Sequence, residues 1–133
     1  MMSETLFYLA LTAMFTAALW IPYIAGTFID KGMPTPEQYR DVGLRQRDQA
    51  AWLARANRVH INAVESFAPF AALALIAEIT AQSNATTAMW AMVFFWARVA
   101  HAIVYLLGIA YLRTLAYLVG FVAVVALFVA VVT

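Results

Sequence analysis

Long apolar stretches alternate with short polar ones along this chain. Residues 5–29 and residues 114–132 contain no charged residue. A transmembrane helix needs about 20 predominantly apolar residues to cross a hydrocarbon core of about 30 Å. Both stretches therefore predict membrane-spanning helices, the first kinked at Pro22. A cleaved signal peptide fits residues 5–29 poorly, because the preceding residues include Glu4 and no basic residue, and because the run is too long.

Two further spans are predicted between these, and both carry ionisable residues. The second helix covers about residues 49–79 and the third about 85–107, with a short polar turn between them. Residues 30–48 form the one long hydrophilic segment, in which Thr35 caps a short helix that begins at Pro36. Four spans with short connections predict an antiparallel all-α bundle, a single transmembrane domain over residues 1–133.

The composition agrees with a membrane protein and excludes several other classes. Hydrophobic residues make up 65% of the chain and charged residues 11%, against about 25% charged residues in soluble domains. The mean hydropathy is +0.82. A net charge of +1 gives no electrostatic footprint for nucleic acid. The absence of cysteine excludes disulfides, thiolate metal sites and a cysteine nucleophile.

The basic residues predict the orientation of the four spans. Six of the eight Lys and Arg residues lie between residues 31 and 58, and Arg113 directly precedes the last span. With four spans, these two regions lie on the same side of the membrane. The positive-inside rule places that side in the cytoplasm and both termini opposite it. A bacterial inner membrane is the predicted location.

The second helix carries a polar stripe into the membrane. At about 100° per residue, Arg55, Arg58, Asn62, Glu65 and Pro69 fall within an arc of about 80°. Ionisable groups at that depth are costly. Where they occur, they usually mark a transport pathway, a charge pair or a ligand site.

The third helix carries a matching stripe. Arg98, His101 and Tyr105 are spaced i, i+3 and i+7, so they share one face. With Arg113, the two stripes bring several guanidinium groups near one carboxylate, that of Glu65. This surplus of positive charge predicts an anionic partner.

Structural roles are the competing interpretation of the same residues. Arg98 and Glu65 can form a simple buried pair, and arginines near helix ends can reach the headgroups. A non-catalytic protein that uses the cluster for oligomer structure or for binding anionic lipid, or a small carrier, also fits. A metal site does not, because His60 and His101 lie on different helices and His60 lies beside the stripe.

The pattern on the second helix resembles the signature of the MAPEG family, the membrane-associated proteins of eicosanoid and glutathione metabolism. It reads Arg58-x-His60-x-Asn62-x-x-Glu65-x-x-x-Pro69-Phe70. The third helix adds Arg98-x-x-His101-x-x-x-Tyr105, and Arg113 resembles the family's thiolate-facing arginine. The resemblance extends over the whole chain.

This resemblance implies a homotrimer that binds glutathione between neighbouring subunits, on the cytoplasmic side. It implies that the tripeptide is bound by Arg58, His60, Asn62, Glu65, Arg98, His101 and Tyr105. Arg113 is the implied catalytic residue, because a guanidinium lowers the pKa of a nearby thiol. The implied activity is a glutathione-dependent transferase or peroxidase that acts on lipophilic electrophiles or lipid hydroperoxides.

Two positions depart from the family pattern. Residues 24–29 contain no arginine, although glutathione-using members often carry one near this end of the first helix, and Lys31 is the nearest cation. Ser66 stands where some members have tyrosine. Both departures bear on glutathione affinity and on leukotriene-type substrates, and neither affects the predicted fold.

Overall fold

The computed structural model describes all residues, 1–133, and contains seven helices. Four long helical stretches form the bundle, and two short helices lie in the hydrophilic segment. The helices are α1 (Glu4–Ala18), α2 (Trp20–Lys31), α3 (Pro36–Arg40), α4 (Val42–Gln46), α5 (Ala51–Ile79), α6 (Ala85–Leu106) and α7 (Leu112–Val132).

The first span is interrupted one turn before the predicted kink. Helix α1 ends at Ala18, and α2 begins at Trp20 after the single residue Leu19. Pro22 lacks an N–H group, so it cannot donate to the carbonyl of Ala18, and the helical ladder fails on the N-terminal side of the proline. Pro22 itself lies in the first turn of α2, where a missing donor costs little.

The hydrophilic connection after α2, residues 32–48, is here called the cap segment. Thr35 caps α3 in a reciprocal capping box with Gln38, and Pro36 follows as predicted. The Lys31 amine donates to the backbone carbonyls of Arg45 and Arg47, and the Arg45 guanidinium donates to the carbonyl of Gly32. These bonds hold the cap segment against the end of α2.

Helices α5 and α6 form the centre of the bundle. Helix α1 packs on both of them, α7 packs on both from another side, and α2 packs on α5. Phe70 of α5 stacks on Phe94 of α6 with ring centroids 4.1 Å apart. Gly26 lets α2 approach α5 closely, since a Cβ there would lie 2.3 Å from the ring of Trp52 and 2.5 Å from a methyl of Leu53.

Most of the surface is apolar. Only 23 of 133 residues are buried, although 65% are hydrophobic. Four helical stretches are long and apolar enough to cross a membrane: Glu4–Lys31, Ala51–Ile79, Ala85–Leu106 and Leu112–Val132. The predicted four-span, all-α architecture is confirmed, and the last three spans match their predicted bounds to within two residues.

Candidate functional site

A cavity of about 270 Å³ opens between α5, α6 and α7. Arg98 lies at its inner wall, about 12 Å inside the C-terminal end of α6 at a helical rise of 1.5 Å per residue. The lining side chains combine the predicted polar residues with aromatic and small ones: Asn62, Glu65, Ser66 and Pro69 of α5, Phe94 and Arg98 of α6, and Tyr117, Gly120, Phe121 and Val124 of α7.

The Arg98 guanidinium is buried and only partly satisfied. Its side chain is 3% exposed, and Nη1 donates to the Ser66 hydroxyl at 3.1 Å. Nε and Nη2 are buried without any hydrogen-bond partner. The group lies over the rings of Phe94 and Tyr117, 5.7 and 5.2 Å from their centroids, which offsets part of the cost of burial. This edge therefore carries two N–H donors whose hydrogen-bonding capacity is unused in the folded chain.

The predicted alternative in which Arg98 pairs with Glu65 does not occur. Since Ser66 is the hydrogen-bond partner of Arg98, the Glu65 carboxylate does not neutralise it. Glu65 is exposed at the rim of the cavity, and Asn62 beside it is half-buried. The cavity therefore holds an unpaired cation at depth and a separate anion nearer its mouth.

Ser66 orients the guanidinium through its own backbone bonds. Its hydroxyl donates to the carbonyls of Asn62 at 2.9 Å and Ala63 at 3.2 Å. With its hydrogen directed to the helix backbone, the oxygen presents its lone pairs to Arg98 Nη1. The serine thereby fixes one corner of the guanidinium, while the opposite edge lies buried against α7 without a hydrogen-bond partner.

Gly120 makes room for the Arg98 side chain in the wall of the cavity. A Cβ at this position would lie 3.3 Å from Nη2, 3.4 Å from Nε and 3.5 Å from Cζ. The guanidinium thus lies directly against the backbone of α7. A larger side chain here competes for the space that Arg98 occupies.

We expect Gly120→Val to destabilise the bundle by about 1–3 kcal/mol, because the added methyl groups overpack the guanidinium. The same substitution in an Arg98→Met background should cost less, since a thioether chain yields more easily. A double-mutant cycle by denaturation in detergent micelles measures this coupling. Additive effects of the two substitutions would show that Gly120 does not hold Arg98.

A line of aromatic contacts runs from the cavity to the nearby end of the bundle. The Arg113 guanidinium lies 4.8 Å from the ring centroid of Tyr105, and Tyr105 packs edge-on against His101 at 5.5 Å. His101, which is 5% exposed, contacts Tyr117 at 6.1 Å between centroids. Tyr117 in turn lies under Arg98. This line connects exposed Arg113 with the buried cavity.

A comparison with protein families shows to which family this chain is related. The MAPEG family model matches residues 5–133, nearly the whole chain. The chain belongs to the MAPEG family. A comparison with curated proteins found no match. As an integral membrane MAPEG protein, the chain is related to proteins of membrane glutathione metabolism.

The structure distributes the MAPEG motif residues over two regions. Asn62, Glu65 and Arg98 share the cavity. His101, Tyr105 and Arg113 form the aromatic line, outside the cavity lining. The other two motif residues lie on α5 outside both groups: Arg58 is exposed and His60 is half-buried. Whether these residues act on glutathione remains a prediction.

The two departures from the MAPEG pattern now have structural descriptions. The Lys31 amine donates to two backbone carbonyls of the cap segment, so it holds this segment against the end of α2. Ser66 lies beside the guanidinium of Arg98. Arg55, the first member of the predicted stripe, also serves the fold, because its Nε donates to the Leu106 carbonyl at the end of α6 at 3.2 Å.

Five of the ten lining residues were not predicted from the sequence, and two of these, Tyr117 and Gly120, contact the Arg98 guanidinium from α7. Tyr117 and Gly120 lie on α7, which the sequence predicted only as an uncharged membrane span. Their spacing of three residues places them on one helical face. A lone glycine beside a tyrosine on the same face of an aliphatic span was the available signal for a close approach.

Proposed function

We propose that this MAPEG protein is a glutathione-dependent transferase or peroxidase that acts on lipophilic electrophiles or lipid hydroperoxides. The observation that carries the proposal is the buried, unpartnered edge of Arg98 in a cavity whose lining also includes Glu65. A guanidinium without a counter-ion inside a membrane protein is costly unless a ligand supplies the missing charge.

The cavity has the charges that suit the γ-glutamyl end of glutathione. That end carries an α-carboxylate and an ammonium group on one carbon. In the proposal the carboxylate accepts from the two unpartnered N–H groups of Arg98, which requires α7 to move away from them at Gly120. Glu65 at the rim offers an anion to the ammonium. Asn62 offers an amide between them.

The distance from the cavity to Arg113 suits the remainder of the tripeptide. Arg113 and Gly120 are seven residues apart on α7, which corresponds to about 10 Å of helix. In glutathione the thiol is on the central cysteine, and the γ-linkage places eight covalent bonds between the α-carboxylate carbon and the sulfur, which extend to about 10 Å. A molecule with its charged head at Arg98 can therefore extend its thiol toward Arg113.

In this proposal the chain positions and ionises glutathione without covalent catalysis. Arg113 stabilises the thiolate by its positive charge. In the transferase reaction the thiolate sulfur forms a bond with the electrophilic carbon of a lipophilic substrate, while the bond from that carbon to the leaving group breaks and the leaving group departs with the electron pair. In the peroxidase reaction two glutathione molecules supply two electrons and two protons, the hydroperoxide becomes an alcohol and water, and the two thiols become glutathione disulfide. Holding the reactants close accounts for much of the expected acceleration.

The proposed assembly is a homotrimer with the site between subunits. Arg58 and Glu65 are exposed on the side of α5 within a membrane span, where contact with lipid would be unfavourable for both. A neighbouring copy can cover them. The Arg55–Leu106 bond places the start of α5 and the α6–α7 turn at one end of the bundle, and we assign that end to the cytoplasm by its basic residues.

Ultraviolet difference spectroscopy on the purified protein tests the proposal. Glutathione should produce thiolate absorbance at neutral pH, because Arg113 and the cavity favour the ionised thiol. Because the chain contains no cysteine, glutathione is the one source of thiolate, and ionisation of any of the six tyrosines is recognised by the second, longer-wavelength band of tyrosinate. Arg113→Ala should lose most of the signal, whereas Arg47→Ala, which changes an exposed arginine of the cap segment, should retain it. Absence of thiolate in the wild type at saturating glutathione would refute the proposal.

A non-catalytic function is the second candidate, favoured by the exposure of Arg58 and Arg113. In that case the cluster stabilises the trimer or binds anionic lipid. Arg113→Ala would then lower the thermal stability of the trimer, and glutathione would leave the stability of the wild type unchanged.

A further inference from the structure

A second, larger cavity lies at the basic end of the bundle, between α2 and the cap segment. Its volume is about 420 Å³, within the range of about 300–1,000 Å³ that is usual for small-molecule sites. It shares no residue with the Arg98 cavity. The lining comprises Tyr23, Ile24, Thr27, Phe28, Pro34, Gln38, Tyr39, Val42, Arg45 and Gln46.

The two walls of this cavity differ in their surroundings. Residues 23–28 belong to the first membrane span, and they contribute the exposed side chains of Ile24 and Phe28. The opposite wall belongs to the hydrophilic cap segment, with Gln38, Arg45 and Gln46 among its members. The cavity therefore crosses the boundary between the hydrocarbon and the headgroup region, which suits an amphiphile.

The charge of this cavity is positive. Arg45 is its one charged lining residue, and its guanidinium lies 5.6 Å from the ring centroid of Phe28. Arg45 donates to the carbonyl of Gly32 and, at 3.5 Å, to the side-chain oxygen of Gln38. The adjacent Lys31 amine also bonds only backbone carbonyls. Both cations at the membrane boundary are thus held in place by neutral acceptors, and neither forms a salt bridge with a carboxylate.

We propose that this cavity binds an anionic phospholipid of the surrounding leaflet. The phosphate accepts from the remaining N–H groups of Arg45, and one acyl chain occupies the space between Phe28, Ile24 and Val42. Basic pockets at the cytoplasmic side of membrane helices favour acidic headgroups in this way. The site is independent of glutathione, so it stands whether or not the proposed enzymatic function is correct.

Photolabelling with a phosphatidylglycerol that carries a diazirine in one acyl chain tests the proposal. The protein is placed in phosphatidylcholine nanodiscs with a trace of the probe, irradiated and digested, and the labelled peptides are identified by mass spectrometry. We expect label in residues 23–28 and 38–46. Unlabelled phosphatidylglycerol should compete for this label, and additional phosphatidylcholine should not.

Three variants separate a site from general lipid contact. Arg45→Gln should reduce the label at these residues about tenfold, since a hydrogen bond to a charged group contributes about 1.5–3 kcal/mol. Thr27→Trp should abolish it by filling the cavity while leaving the Arg45 contact intact. Arg40→Gln changes an exposed arginine of the same segment, outside the lining, and should have no effect.

Four results would overturn the proposal. Label spread evenly over the lipid-facing helices indicates ordinary annular lipid. Undiminished label in Thr27→Trp places the probe outside the cavity. Equal competition by phosphatidylcholine shows that the charge of Arg45 is not recognised. Absence of label at both walls shows that another subunit covers the cavity, which likewise excludes a lipid site.

Discussion

Arg98→Met is expected to weaken glutathione binding by at least about 30-fold, because truncating one partner of a buried charged contact costs about 2–5 kcal/mol. The same substitution should leave the stability of the ligand-free protein unchanged or raise it by about 1 kcal/mol, since replacing a buried charge by an apolar side chain is often stabilising. The loss of binding without a loss of stability is expected because two nitrogens of Arg98 have no hydrogen-bond partner in the folded chain. Isothermal titration with glutathione and thermal denaturation without it measure the two effects.

Arg55→Met is the matched control for the stability effect. Arg55 is also an arginine of a membrane span that contacts a neighbouring helix, but its Nε satisfies the Leu106 carbonyl at the end of α6. Removing it should therefore destabilise the protein by about 1.5–3 kcal/mol, the contribution of a hydrogen bond that involves a charged group. If Arg98→Met proves as destabilising as Arg55→Met and glutathione still binds, Arg98 is a structural residue and the proposed site is wrong.

Glu65→Gln should remove the protein's recognition of the γ-glutamyl ammonium group. The wild type should bind glutathione about 10–100-fold more tightly than the analogue that lacks this amino group, given about 1.5–3 kcal/mol for a charged hydrogen bond. The variant should bind glutathione about as weakly as the wild type binds the analogue, because glutamine carries no negative charge. Its affinity for the analogue should stay close to that of the wild type. Competition binding with the two ligands on both proteins provides the four affinities.

The four affinities form a cycle in which folding effects cancel. A general loosening of the site by Glu65→Gln weakens both ligands equally and preserves their ratio. A preserved ratio would therefore show that Glu65 does not contact the ammonium group. It would leave the role of Arg98 untouched, since that residue is tested separately.

The sequence predicts the spans well because the bilayer imposes both a length and a composition on each of them. The turn between α5 and α6, the start of α7 and the Thr35–Pro36 helix start all lie close to their predicted positions. The break at Leu19 lies three residues before Pro22, because a proline disturbs the turn that precedes it.

The sequence predicts less well which of the polar side chains are buried in the bundle and which are exposed. The stripes place Arg58 and Arg98 equally well in the membrane, yet Arg58 is exposed and Arg98 is buried. What distinguishes them is the space beside Gly120 on a different helix. Periodicity within one helix cannot show which neighbour provides room for a side chain, so Tyr117 and Gly120 were missed.

Helix α7 combines two requirements that depend on different properties of the chain. Membrane insertion depends on its hydropathy, which a single added apolar residue would hardly alter. The positions of Arg113 and Gly120 depend on helical phase, since seven residues nearly complete two turns and bring both to one face. One residue inserted between them would rotate Arg113 by about 100° relative to Gly120. Among relatives of this protein, insertions within that heptad should therefore be rarer than the freely interchangeable aliphatic residues around it suggest.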